Sequence, residues 1–122
     1  MKKALFDIEA ARWAFSKSAY DVCARASYYA VFHAEIAALI QLAGVKREFW
    51  NHDFVQSEFA QILIHSKKMF SESLANIAPY LIGYRHKADY HSELTGKKVA
   101  ERCLQKAEIL VSGISEKIGD LL

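Results

Sequence analysis

The segment densest in potentially reactive side chains spans residues 84–91 and reads Tyr-Arg-His-Lys-Ala-Asp-Tyr-His. On a helix, Arg85 and Asp89 are four residues apart and can form an ion pair, and His86 and Tyr90 have the same spacing. A guanidinium neutralises phosphate charge, and an imidazole exchanges protons near neutral pH. The segment therefore supports two interpretations, an ion pair that fixes the end of a helix or a phosphate site that contains Arg85 and His91.

Arg85 and His91 cannot contact the same phosphate from one regular helix. Their spacing of six residues places them about 120° apart around the helix axis and about 9 Å apart along it. Either the helix ends before His91, or two subunits each contribute one of the two residues. We expect a symmetric homodimer that brings the ends of this helix together, because a self-complementary interface solves the geometry.

The histidines do not follow a metal-binding pattern. Two ligands on a helix must lie three or four residues apart, whereas His86 and His91 are separated by five, and no Glu-x-x-His pair is present. His33, His52 and His65 stand alone in the sequence. The sequence also lacks a P-loop, a GxGxxG motif and a GxSxG motif. We therefore expect no metal and no other cofactor, and neither a nucleophilic hydrolase nor a nucleotide-driven motor.

Composition predicts a compact helical domain covering residues 1–122. Hydrophobic residues make up 52% of the chain, and five Gly and one Pro are too few for an all-β protein with frequent turns. The net charge of +2 neither requires nor excludes a nucleic-acid partner. Cys23 and Cys103 lie eighty positions apart without a CxxC motif, which indicates two reduced, buried thiols.

The longest apolar stretch, residues 26–45, is better explained as a central bundle helix than as a membrane span. It contains His33, Glu35 and Gln41, and each of these side chains is costly inside a bilayer. The N-terminal residues carry charges that interrupt any signal-peptide pattern. We therefore expect a cytoplasmic protein without a membrane partner.

Helical periodicity predicts an all-α, antiparallel up-and-down bundle of four to five helices. The predicted helices cover residues 3–16, 20–43, 51–68, a fourth run through residue 88, and a fifth after Thr95, which we expect to cap it. Gly44 has the residue type of a C-terminal cap, and either Asn51 or Asp53 can cap the third helix. Pro79 predicts either a kink in the fourth helix or its start.

The second predicted helix carries large apolar residues at every fourth position and a neighbouring stripe of alanines. The large residues are Tyr28, Phe32, Ile36 and Ile40. This doubled pattern predicts that helix two is the most buried element of the bundle. His33 on the same helix is expected to be a hydrogen-bonded packing residue rather than a ligand.

These patterns resemble the HEPN superfamily. The second helix contains Arg25-Ala26-Ser27-Tyr28-Tyr29-Ala30-Val31-Phe32-His33-Ala34, His52 opens the third helix, and the fourth contains Arg85-x-x-Ala88-Asp89-Tyr90. The "YYAxFHA" and "RxxADY" motifs occur in this order in small stand-alone prokaryotic members, and the resemblance covers residues 4–114. It implies a four- to five-helix bundle that commonly dimerises.

In many members the resemblance also implies a metal-independent ribonuclease whose signature is an arginine followed by a histidine. Here Arg85 would stabilise phosphate charge, His91 would be the acid/base, and His86 would be the polar neighbour of the arginine. Asp89 and Tyr90 would join His86 as binding residues. The resemblance further implies RNA as substrate and a toxin-like role beside a nucleotidyltransferase of the MNT type, which in some modules adds AMP to a tyrosine such as Tyr90. A non-catalytic module that binds a nucleotide or a partner is the alternative, and a purely structural bundle is the third.

Overall fold

The computed structural model describes residues 1–90 and 95–120, and at positions 88, 90 and 120 only the helical backbone. The protein is an all-α antiparallel bundle, as the sequence predicts. Its elements are α1 (Lys2–Ser16), α2 (Tyr20–Ala43), α3 (His52–Glu58) with a π-helical continuation (Phe59–Ser66), a 3₁₀ helix (Glu72–Asn76), α4 (Ile77–Tyr90) and α5 (Lys97–Asp120). Within the described ranges, no helix combines the length and apolar character that crossing a membrane requires.

The centre of the bundle is α2, which packs against α1, α4 and α5. Its core-facing side consists largely of small residues, and Ala24, Ala30, Ala34 and Ala38 are all fully buried. Because the distance between two helices depends on the side chains at their contact, small residues let the neighbouring helices approach closely. In the described part of the chain, α2 contributes more buried residues than any other helix, which confirms its predicted position.

The large apolar residues of α2 are less buried than their spacing predicts. Tyr28 is buried, Phe32 and Ile36 are half-buried, and the Ile40 side chain is exposed. The core lies on the alanine side of the helix, so this stripe turns away from the core towards the edge of the bundle. Part of the stripe that the sequence predicts to be core therefore lies at the surface of the bundle.

Three predicted helix ends are confirmed. Gly44 ends α2 in the left-handed conformation with a φ of 66°, which favours glycine. The Asn51 side chain accepts a hydrogen bond of 2.9 Å from the backbone N–H of Phe54 and so caps α3. Pro79 is the third residue of α4, within the first turn, where a backbone N–H has no acceptor inside the helix. Of the two predicted outcomes, the structure therefore has Pro79 at the start of the helix.

Two details of the helix assignment were wrong. The third helix is not regular to its end, because the backbone N–H of Lys67 bonds at 2.8 Å to the carbonyl of Ile62, five residues back. Thr95 does not cap α5, because the Gly96 carbonyl accepts the first hydrogen bond of that helix from Ala100, at 3.1 Å. Gly96 therefore occupies the cap position, and Thr95 precedes it.

Both cysteines are free and buried, as predicted. The Cys23 Sγ lies 3.8 Å from the carbonyl oxygen of Ala100 on α5. Burial raises the pKa of the Cys23 thiol and raises the pKa of Cys103 to about 12. Both groups are therefore neutral thiols at physiological pH and act as small apolar packing residues.

One carboxyl group is buried in the core. Glu35 of α2 is 2% exposed, and its Oε1 has no hydrogen-bond partner among the described residues. Burial raises the pKa of Glu35 well above its ordinary value, because the ionised form loses its hydration. The folded protein therefore keeps this carboxyl protonated at pH values where the unfolded chain releases the proton.

This proton makes the free energy of unfolding depend on pH. Above the ordinary glutamate pKa of about 4.3, unfolding releases the proton, so Glu35 lowers stability as pH rises until the folded-state carboxyl itself ionises. We expect Glu35→Gln to remove this dependence, so that the variant gains stability relative to wild type by up to about 1.4 kcal/mol per pH unit within that window. Urea unfolding followed by circular dichroism from pH 4 to pH 8 measures the difference.

The matched control is Glu116→Gln, because Glu116 is exposed on α5. Its stability difference from wild type should not vary with pH in this way. A pH-independent difference for Glu35→Gln would contradict the buried, protonated state of Glu35.

Candidate functional site

Asp89 on α4 holds two arginines from different helices. Its Oδ1 accepts a hydrogen bond of 2.7 Å from the Nε of Arg25 on α2, and its Oδ2 lies 3.3 Å from the Nε of Arg85 on α4. The predicted ion pair between Arg85 and Asp89 is confirmed. Arg25 is an addition to it that links α2 to the end of α4.

The Arg85 guanidinium lies over two tyrosine rings of α2. Its Cζ is 5.3 Å from the ring centroid of Tyr28 and 5.3 Å from that of Tyr29, within the range of cation–π attraction. The Arg85 side chain is only 23% exposed. Its Nε is buried and makes no hydrogen bond within the described residues, because the contact with Asp89 lacks hydrogen-bond geometry. Ring contacts and charge attraction therefore hold this cation in place.

Tyr28 adds no negative charge to the site. Burial raises the pKa of Tyr28 to about 12, and the nearby Arg85 opposes that rise without cancelling it. The Tyr28 phenol is therefore neutral at physiological pH. Two guanidinium groups against one carboxylate leave this cluster with a net positive charge, which suits a phosphate group.

The chain on either side of residues 91–94 is tied to the first turns of α2. Arg25 binds Asp89, and the Asp21 carboxylate accepts a hydrogen bond of 2.7 Å from the backbone N–H of Thr95. Asp21 and Arg25 are one helical turn apart. Both flanks of the segment that begins with His91 are therefore anchored to one end of one helix.

Of the remaining predicted site residues, the structure describes the side chain of only one, His86. His86 is exposed on α4. His91 and the side chain of Tyr90 lie outside the described residues, so the acid/base role of His91 and the binding and modification roles of Tyr90 stay predictions. The structure therefore brings together Arg85 and Asp89 from the predicted set.

His33 has the packing role that the sequence predicts. Its Nδ1 lies 2.6 Å from the Oδ2 of Asp7 on α1, and both side chains are partly buried. This contact links α1 to α2. Across residues 1–90 and 95–120, no three His, Cys, Asp or Glu side chains lie close enough together to hold a metal ion.

Sequence reasoning missed Arg25 and Asp21 as site residues. Arg25 is the first residue of the second-helix motif, but its partner Asp89 is 64 positions away in sequence. Asp21 binds a residue 74 positions away. Asp21 and Arg25 are four residues apart, which places them on one face of α2. This spacing is the feature of the sequence that could have indicated them as site residues.

The HEPN domain family model matches residues 1–117 of the 122-residue chain. The chain belongs to the HEPN family. The match begins before α1 and extends into the last turns of α5, so it includes both arginines, Asp89 and the two tyrosines. The family assignment made from the second- and fourth-helix motifs is therefore confirmed. No curated protein matches this HEPN chain.

Removing the shared carboxylate tests the arginine cluster. Asp89→Asn leaves the half-buried Arg85 and Arg25 facing each other without a counter-charge, so we expect the free energy of unfolding to fall by about 1–3 kcal/mol. The matched control is Glu108→Gln, which breaks the exposed 3.0 Å ion pair with Arg12. Such an exposed pair contributes roughly 0–1 kcal/mol. Urea unfolding at pH 7 measures both, and equal losses in the two variants would contradict a special role for Asp89.

Proposed function

We propose that this HEPN protein is a metal-independent endoribonuclease, the toxin-like component of a two-gene module. The observation that carries the proposal is that Arg85 and Arg25 share the single carboxylate of Asp89, with Arg85 over the rings of Tyr28 and Tyr29. A rigid arginine cluster with excess positive charge is a preorganised binding site for a phosphate. In sequence, His91 follows this cluster by two residues.

The proposed reaction is cleavage of the RNA backbone by its own 2′-hydroxyl. His91 takes the proton of the 2′-hydroxyl as its oxygen forms a bond to the adjacent phosphorus, and the bond from phosphorus to the 5′-oxygen breaks. His91 then gives this proton to the leaving 5′-oxygen, so the products are a 2′,3′-cyclic phosphate and a 5′-hydroxyl. Arg85 stabilises the negative charge that builds up on the phosphate oxygens.

The same proposal includes a symmetric homodimer. On one regular helix Arg85 and His91 would be too far apart to contact one phosphate, and a two-fold axis near the ends of α4 would let each subunit supply one of them. The anchoring of Asp89 and Thr95 to α2 supports a fixed end of α4 that a second subunit can recognise.

Light scattering at micromolar concentration should give twice the chain mass of 13.8 kDa. If each site uses Arg85 of one subunit and His91 of the other, mixing Arg85→Ala and His91→Ala subunits restores roughly a quarter of wild-type cleavage, because half of the dimers are mixed and each has one intact site. If mixing restores no cleavage, Arg85 and His91 of each site belong to the same subunit. A monomeric mass contradicts the dimer.

The nuclease proposal predicts cleavage of single-stranded RNA in the presence of EDTA, with 2′,3′-cyclic phosphate ends. His91→Ala should lower the rate by at least about 100-fold, the usual effect of losing a general acid or base. Arg85→Ala should lower it by about 100- to 1,000-fold, as when a charge-stabilising donor is lost. Gel electrophoresis of a labelled RNA gives the rates, and circular dichroism checks folding.

The matched control is Arg12→Ala, because Arg12 is an exposed arginine on α1 that pairs only with Glu108 among the described contacts. It should cut at the wild-type rate. Undiminished cleavage by His91→Ala would end the catalytic proposal. Binding of RNA or a nucleotide without cleavage would instead favour the alternative, a non-catalytic binding module that uses the same arginines.

The partner proposed with this activity is a nucleotidyltransferase of the MNT type. Its candidate target is Tyr90, which is adjacent in sequence to both Asp89 and His91. An AMP group attached there would bring a phosphate next to the arginine cluster and compete with the RNA phosphate for Arg85. This part of the proposal rests on the family resemblance and on the sequence position of Tyr90.

A further inference from the structure

A wide groove lies between the start of α1, the outer side of α2 and the α2–α3 connection, and we call it the aromatic groove. It has a volume of about 560 Å³. Its floor contains Phe32, Ile36 and Ile40, and one wall contains Phe49 and Trp50. Phe49 is 79% exposed, which is unusual for an aromatic ring of this size. The proposed nuclease chemistry does not use any of these side chains.

Positive charge lies in the lining of the aromatic groove. Lys2 and Lys3 line it at the start of α1, and both are exposed. Lys46 and Arg47 precede Glu48 on the connection but do not line the groove, and the Arg47 guanidinium lies 3.7 Å from the ring centroid of Phe54. The two lysines outweigh Glu48 in the lining, so the groove presents flat apolar rings beside a cationic wall.

The aromatic groove is continuous with the arginine cluster along α2. Tyr29, whose ring lies beneath Arg85, is stacked at 6.1 Å on the ring of His33. The His33 ring lies 5.6 Å from the ring of Phe32 on the groove floor. A row of partly exposed rings, formed by Tyr29, His33 and Phe32, therefore leads from the phosphate site to the groove. Tyr29 in this row and Ile40 on the groove floor are about 16 Å apart along the helix.

We propose that the aromatic groove binds single-stranded RNA, with bases stacked on Phe49 and Trp50 and phosphates beside Lys2 and Lys3. Single-stranded nucleic acids combine flat apolar bases with a polyanionic backbone, so they use both features of the groove. The apolar face of a protein partner would use the rings but would leave the lysines without a counter-charge. The choice of RNA rests on the proposed function, and the groove would direct the strand to Arg85.

The test uses a fluorescein-labelled, single-stranded 12-nucleotide RNA whose 2′-hydroxyls are all methylated. This probe lacks the nucleophile and cannot be cleaved, so binding is measured apart from catalysis. Fluorescence anisotropy should show a loss of affinity of roughly 5- to 150-fold for Phe49→Ala, the range expected for one stacked base. The double variant Lys2→Ala, Lys3→Ala should lower the salt dependence, with a slope of log K against log salt smaller by roughly 1 to 1.5.

Matched controls lie elsewhere on the surface. Trp13→Ala removes an exposed aromatic residue that lies on α1 and does not line the aromatic groove, so this variant should bind the probe like wild type. The double variant Lys67→Ala, Lys68→Ala removes an adjacent pair of exposed lysines near the end of the π-helical segment, and it should keep the wild-type salt slope.

Each outcome decides the proposal. Equal affinity of Phe49→Ala and Trp13→Ala for the probe would overturn it, and so would no probe binding by the wild type. A loss of dimer mass in Phe49→Ala with unchanged RNA affinity would show that the groove is a protein interface instead. A wild type that binds the probe through the groove but cuts no RNA would overturn only the nuclease proposal. Cleavage that groove variants leave unchanged, with unchanged probe affinity, would overturn only the groove.

Discussion

The close packing of α2 in the centre of the bundle is the constraint on which the other features depend. Ala24, Ala30, Ala34 and Ala38 have no exposed surface, so α1, α4 and α5 can all lie against a single helix. Only some bulky residues of α2, such as Tyr28 and Leu39, are buried with them. Tyr29, Phe32 and the residues that follow them on the same side are left partly exposed, and this side of α2 connects the arginine cluster with the aromatic groove.

Electrostatics at the end of α4 follow from that packing. A guanidinium that is mostly buried loses hydration, and an aromatic platform alone compensates only part of this loss. Asp89 supplies the charge that allows Arg85 and Arg25 to lie close together. One carboxylate cannot neutralise two arginines, however, and the proposed phosphate site depends on the remaining positive charge. Asp89 therefore stabilises the fold, while the two arginines around it keep the net charge of the site positive.

Three carboxyl groups in this protein have contrasting surroundings. Asp89 contacts two arginines, whereas the Oε1 of Glu35 has no hydrogen-bond partner among the described residues, and burial raises the pKa of Glu35. The Asp7 contact with His33 is a third arrangement, in which a carboxylate links α1 to the ring row of α2. Loss of hydration without a compensating contact therefore keeps Glu35 protonated.

Local sequence patterns predicted the helices and their caps with few errors, because periodicity, capping and glycine conformation are properties of neighbouring residues. The bounds of α2, the left-handed Gly44 and the ion pair of Arg85 with Asp89 all follow from spacings of a few residues. The π-helical winding of residues 59–66 did not follow, because a sequence that can form an α-helix can also wind more widely when the core requires it.

Tertiary structure alone decided which residues of the candidate site meet. Arg25 and Asp89 are 64 positions apart, and Asp21 and Thr95 are 74 apart, so no local spacing connects them. Periodicity identified a stripe from Tyr28 to Ile40 but not how far it is buried, because burial depends on which neighbouring helices cover each face. The sequence by itself determined the elements and the chemistry they carry. The packing of α4 and α5 against α2 determined that an arginine of the second helix joins the fourth, and that the rings of Tyr29, Phe32 and His33 are only partly covered.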